Sequence, residues 1–161
     1  VIDLQTKDLF FDRAKVVRAL DRARLRVLKE SGRLVRKQAQ RSLRYESGSS
    51  APGGPPHVHR SRTITRVSKS TGKKRRRSVS LLRDRIWFAY DPASSGVVVG
   101  PAKLGGTVSD TALESLEHGG PSTVLDHGRP RRANIRARPF MRPAAADAAG
   151  RFPGLWRDSI R

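Results

Sequence analysis

Residues Asp12 to Leu43 carry the pattern that most restricts the fold. Val17, Leu20, Val27, Leu28, Ser31, Val35, Ala39 and Ser42 recur at spacings of three, four or seven, which puts them on one face of an α-helix. Between them lie Arg13, Lys15, Arg18, Arg22, Arg26, Lys29, Arg33, Arg36, Lys37 and Arg41. A helix that is polar all round except for one narrow stripe has to lay that stripe on something. The expected cover is a small sheet. Gly32 falls in the middle of the run and costs about 1 kcal/mol there relative to Ala. It marks either a close approach to another element or a break into two helices.

The rest of the chain supplies the strands. Residues Glu46 to Pro56 read Glu-Ser-Gly-Ser-Ser-Ala-Pro-Gly-Gly-Pro-Pro, a loop that no regular element survives. Thr63 to Lys69 is β-prone, and Arg77 to Leu82 can pair back on it through a turn at Ser70–Lys73. The alternative for this segment is a mobile basic arm. Leu81 to Tyr90 reads as the best strand. Val97-Val98-Val99 pairs with it across Asp91-Pro92-Ala93-Ser94-Ser95-Gly96 as an antiparallel hairpin. A short helix is expected over Asp110–Glu117 with Asp110 as N-cap. Ser122–Asp126 and Ala133–Arg138 are two more candidate strands around His127-Gly128-Arg129-Pro130. A final helical region runs from Phe140 to Ile160, broken near Gly150 and Pro153-Gly154, with Pro143 in its first turn. The order predicts an α+β fold: a long N-terminal and a C-terminal helix on a small, mostly antiparallel sheet of four or five strands. One domain is expected across residues 1–161.

Composition then narrows the function classes. Lys+Arg is 34 and Asp+Glu is 14, a net charge of +20. The charge is uneven. The 37 residues from Ser47 to Arg83 carry ten Lys/Arg and no acid, and Lys73 to Arg77 are five bases in a row. The longest apolar run is five residues, Ile86–Tyr90, against about 20 for a membrane helix. Val-Ile-Asp-Leu-Gln-Thr-Lys-Asp at the start does not read as a secretory signal. Cysteine is absent, which excludes disulfides, cysteine nucleophiles and thiolate metal sites.

Catalytic patterns are weak. His57-x-His59, with Asp126-His127, is a conceivable metal set, but nothing else in the spacing supports one. No nucleophile elbow or phosphate-binding glycine loop is present. Glu114 and Glu117 lie at i, i+3 on a short helix and read as solvent-facing. No enzyme activity and no cofactor is expected.

Two features remain. Arg60, Arg62, Arg66, Lys69, Lys73, Lys74, Arg75, Arg76 and Arg77 are candidates for contact with an acidic partner or with DNA phosphates. Residues 46–86 lack stacking aromatics, and no reading motif is present, so specific readout is disfavoured. The second feature is the corner Arg136-Ala137-Arg138-Pro139-Phe140-Met141-Arg142-Pro143-Ala144. Pro139 forces Arg138 extended, Phe140 and Met141 plug the core, and Pro143 opens a helix. Trp156 joins this structural group, with Leu155 and Ile160 on the same apolar face.

Ala137 to Ala144 resembles the strand-to-helix motif of tail-completion, or neck, proteins of tailed bacteriophages and prophages. Gly32 to Ala39 is similar to the end of that family's N-terminal helix, and Ser50 to His57 to its Ser-Pro-Gly-x-Pro-Pro loop. Leu81–Ile86 with Phe88–Asp91, Val97–Pro101, Leu116–Gly120 and Leu155–Ile160 resemble further blocks, in family order. Residues 60–80 depart from the pattern and read as an insertion. The resemblance implies a non-enzymatic virion protein at the head–tail junction, assembled in the host cytoplasm. It implies a homo-oligomeric ring of six or twelve around the DNA channel, contacting neck or adaptor and tail-tube proteins, with non-specific contact to genomic DNA and none to membrane.

Overall fold

The computed structural model describes residues 12–59, 62–67, 72, 74–79, 81–102, 110–126 and 129–160. The chain is α+β. Helix α1 (Arg13–Ser42) is unbroken. Asp12 caps it, its Oδ1 accepting the Lys15 N–H at 2.9 Å. Hairpin β1 (Arg62–Val67) and β2 (Lys74–Val79) follows. A single helical turn, α2 (Leu81–Asp84), leads into β3 (Ile86–Asp91) and β4 (Gly96–Pro101). Helix α3 (Asp110–His118) precedes β5 (Gly120–Asp126) and β6 (Arg129–Ile135). The chain closes with α4 (Met141–Ala149), α5 (Phe152–Arg157) and a 3₁₀ turn over Asp158–Ile160.

The strands do not merge into one sheet of four or five. Six strands form three separate two-stranded antiparallel sheets, each a hairpin of consecutive strands. A hairpin closes over a short local loop, whereas joining hairpins edge to edge needs long-range closure. Only β3–β4 lies against α1; α4 and α5 pack along the same helix.

The α1 stripe is buried from its middle onward, at Val27, Ser31, Val35 and Ala39. Its first members, Val17 and Leu20, stay exposed. Gly32 resolves as the close approach. A Cβ there would sit 2.8 Å from both Phe88 Cδ2 and Val97 Cγ2, so only glycine lets β3–β4 approach this closely. The core joins Ala39 and Leu43 to Val58, Ile86, Phe140 and Ala144, with Tyr45, Leu82, Val99 and Met141 packed around them. Val58 comes from the end of the Gly/Pro loop, which pairs back on the chain after α1: the Val58 N–H donates to the Arg44 carbonyl at 2.9 Å.

Three boundaries differ from expectation. Leu81–Asp84 is helical, and the strand starts only at Ile86. Strand β6 starts and ends earlier than Ala133–Arg138, because Pro130 pairs with Leu125 inside the ladder instead of turning it. Proline is tolerated on an edge strand, where its missing N–H faces no partner. The C-terminal helical region is interrupted at Gly150 and Arg151, while Pro153 sits in the first turn of α5, where its fixed φ suits a helix start.

Candidate functional site

The basic segment is a regular hairpin. Strands β1 and β2 run in antiparallel register from Arg62 opposite Val79 to Val67 opposite Lys74. Side-chain positions alternate along a strand, so 62, 64 and 66 share one side of the ladder with 75, 77 and 79. That side carries four arginine positions: Arg62, Arg66, Arg75 and Arg77. The other side carries Lys74 and Arg76. Arg66 faces Arg75 directly across the ladder, a like-charge pair that disfavours the hairpin in isolation. Neither strand packs extensively on another element. Of the candidate contact residues, Arg60, Lys69 and Lys73 lie outside the described residues.

A second basic hairpin escaped the sequence reading. Strand β6 exposes Arg129, Arg131 and Arg132, and β5–β6 packs mainly on α3. The missed signal was the spacing of these arginines around Pro130, masked by reading 127–130 as a turn.

The corner at 138–143 is built differently from its prediction. Phe140 is fully buried and Met141 packs beside it, as the sequence suggested. Trp156 is a correction: it is 45% exposed, with its ring on the rim of α5 rather than in the core. The side chain that fixes the corner is Glu117 of α3, which had been read as solvent-facing. Its Oε2 accepts the N–H groups of Phe140 at 2.9 Å and Met141 at 3.1 Å, and its Oε1 that of Arg142 at 2.8 Å. The first four N–H groups of a helix have no partner within it. Here Glu117 takes three of them, and the fourth position is Pro143, which has none to offer. The negative charge also sits at the positive end of the α4 dipole. Burial is the largest single influence on the Glu117 carboxyl and pushes its pKa up. The N–H groups of Phe140, Arg142 and Met141 together outweigh it, with His118 adding to them, and the net shift is downward.

Glu117 is aimed by its own helix end. Gly119 ends α3 at φ +78°, and its N–H donates to the Ser115 carbonyl at 2.8 Å. A Cβ on Gly119 would sit 3.1 Å from the Ala137 nitrogen. The Arg138 N–H donates to the Leu116 carbonyl at 2.7 Å, which ties the strand after β6 to α3.

The histidines do not assemble. His57 Nε2 lies 3.1 Å from Glu46 Oε2, His59 and His118 are apart from it on different elements, and His127 lies outside the described residues. Among the described residues, no group of three or more His, Asp or Glu is placed to hold a metal ion. No described helix is long and apolar enough to cross a membrane. The Arg36 guanidinium stacks over the half-exposed Trp87 ring, 5.2 Å from its centroid. What this arrangement can do chemically is present cations on two protruding ribbons and bury apolar rims against a neighbour. No known family model, characterised protein or solved structure matches this chain.

Proposed function

We propose that this chain is a structural subunit of the neck of a tailed phage. In this reading it assembles as a ring of six or twelve that links the portal or adaptor side to the tail tube around the DNA channel. The observation that carries the reading is the β1–β2 hairpin. It orders like charges across one ladder and packs on little else in its own chain, so its ordering gains free energy from a partner rather than from the subunit core. The resemblance of residues 32–160 to neck proteins supplies the identity of the assembly. Exposed Val16, Val17 and Leu20 at the start of α1, and Val98 and Trp87 on the outer side of β3–β4, give a neighbouring copy apolar surface to cover. A cyclic ring uses two different faces of each subunit. Native mass spectrometry and electron microscopy of the purified protein test this. Closed rings of six or twelve are expected, and a strict monomer at every concentration overturns the reading.

The alternative is a sequence-independent nucleic-acid binder. The four arginine positions on one side of β1–β2 favour it. If all four meet phosphates, log K against log salt for duplex DNA falls with a slope of about −3.6. A flat salt response removes this alternative and leaves the ring reading untouched.

A further inference from the structure

A cavity of about 540 Å³ lies between the Gly/Pro loop, α2, α3 and the strand-to-helix corner. Val58, Leu82 and Leu116 give it apolar walls. Its polar lining is Ser50, His57 and Arg138. Among the described residues, five buried side-chain polar atoms have no hydrogen-bond partner, and three belong to this lining: Ser50 Oγ, His57 Nδ1 and Arg138 Nε. Ser50 is only 7% exposed. Buried polar atoms left unpaired cost about 1–3 kcal/mol each, so three around one cavity mark a place that a ligand completes.

The frame around these atoms is rigid. The Gly53 N–H donates to the Ala137 carbonyl at 3.0 Å, which stitches the loop to the corner. Arg138 is held through its backbone to Leu116, and His57 through Nε2 to Glu46. With Nε2 donating to that carboxylate, the neutral imidazole leaves Nδ1 as an acceptor. The lining therefore offers a guanidinium N–H, a hydroxyl and one acceptor, over an aliphatic floor.

We infer that this cavity binds the chain end of a partner polypeptide that terminates in an apolar residue. One such residue supplies all three complements. Its carboxylate accepts from Arg138 Nε and Ser50 Oγ, its amide N–H donates to His57 Nδ1, and its side chain covers Val58, Leu82 and Leu116. Inorganic phosphate fits less well, since it has no apolar body for those walls and a single guanidinium is present to balance its charge. The surplus of +20 on this chain draws acidic groups toward it.

N-acetyl-L-leucine is the probe, followed by NMR of the full chain. Its addition is expected to shift the Arg138 Nε–H resonance and the Ser50 and His57 amides together. N-acetyl-L-leucinamide, which lacks the charge, is expected to bind at least about tenfold more weakly. Isovalerate, which lacks the N–H, is expected to be intermediate, and phosphate to leave these resonances in place. Arg138→Gln and Ser50→Ala are each expected to weaken the probe several-fold. Ser50→Ala is also expected to keep or raise Tm, because it removes an unpaired buried hydroxyl. The proposal fails if the amide or phosphate binds as well as the acid. It fails if no shift is seen at about 10 mM probe, where millimolar affinity saturates. It also fails if Ser50→Ala lowers Tm while leaving probe binding intact, since the hydroxyl then serves the fold.

Discussion

Single residues decide how tightly the subunit closes. Glu117 holds three backbone N–H groups of the α4 start from another helix, a role usually left to a cap next in sequence. Glu117→Ala is expected to cost about 2 kcal/mol, and Glu117→Gln about half of that, since the amide keeps one acceptor and loses the charge. Thermal or urea unfolding measures both. The pKa direction adds a pH signature. The folded carboxyl lies below its ordinary value of 4.5. Its contribution is therefore fully present above that value and is lost as pH falls through the lower, folded pKa. The stability gap between wild type and Glu117→Gln should shrink across that acid window; a constant gap contradicts the assignment. Gly32 works by absence. Gly32→Ala gains about 1 kcal/mol of helix propensity and loses about 2 kcal/mol by driving a methyl into Phe88 and Val97, for a net loss near 1 kcal/mol. The core aromatic and the rim aromatic should separate clearly. Phe140→Ala is expected to cost about 3–5 kcal/mol, and the 45% exposed Trp156→Ala about 1–2 kcal/mol, because a partly solvated ring loses less on removal.

Elements were legible to different depths, for physical reasons. The 3.6-residue stripe located α1 and its buried face, but periodicity names a face and not its cover, so exposed Val17 and Leu20 looked the same as buried Val35 and Ala39. Hairpins β1–β2 and β3–β4 followed from local turn chemistry, with Asp91 accepting from the Ala93 and Ser94 N–H groups and the Ser94 hydroxyl. Whether hairpins join into a sheet depends on long-range pairing that no local pattern encodes. Leu81-Leu82-Arg83-Asp84 is apolar enough for either a strand or a helical turn, and the choice was lost there. Glu117 was invisible for the same reason: its partners lie 23 to 25 positions away. The cavity residues Ser50, His57 and Arg138 sit on two segments about 80–90 positions apart in a chain of 161, so only the fold brings them together. One element should prove dispensable. Val58 and Leu82 flank the β1–β2 hairpin and pack in one cluster, so the ends of the intervening segment are close. Replacing residues 61–79 by a short Gly/Ser linker is expected to shift Tm by only a few degrees, since loop closure depends weakly on length. Loss of cooperative unfolding would show that the hairpin supports the core.

At the scale of the molecule, charge and core are segregated. The buried apolar cluster draws on α1, the loop end at Val58, β3 and α4, and the densest positive charge sits on a hairpin that adds nothing to that cluster. Such a division suits a subunit whose fold is finished within the chain and whose purpose lies in contacts with neighbours. It separates two measurements that are often coupled. Replacing Lys73 to Arg77 with Ser and Gly removes five positive charges, taking the net charge from +20 to +15. Repulsion along β2 falls, and no apolar burial is lost, so Tm of the isolated subunit should stay nearly constant. Under the ring reading the same change weakens incorporation into rings, read by native mass spectrometry at fixed subunit concentration, with rings recovering partly at high salt if like-charged neighbours had been the obstacle. Under the nucleic-acid reading it flattens the salt slope for duplex DNA by the two arginines lost from the four-arginine side, about 1.8 in log–log terms. A variant that loses rings while keeping Tm and the DNA salt slope assigns the hairpin to protein neighbours; one that keeps rings and loses the slope assigns it to DNA. A large fall in Tm would overturn both, because the hairpin would then be part of the subunit's own stability.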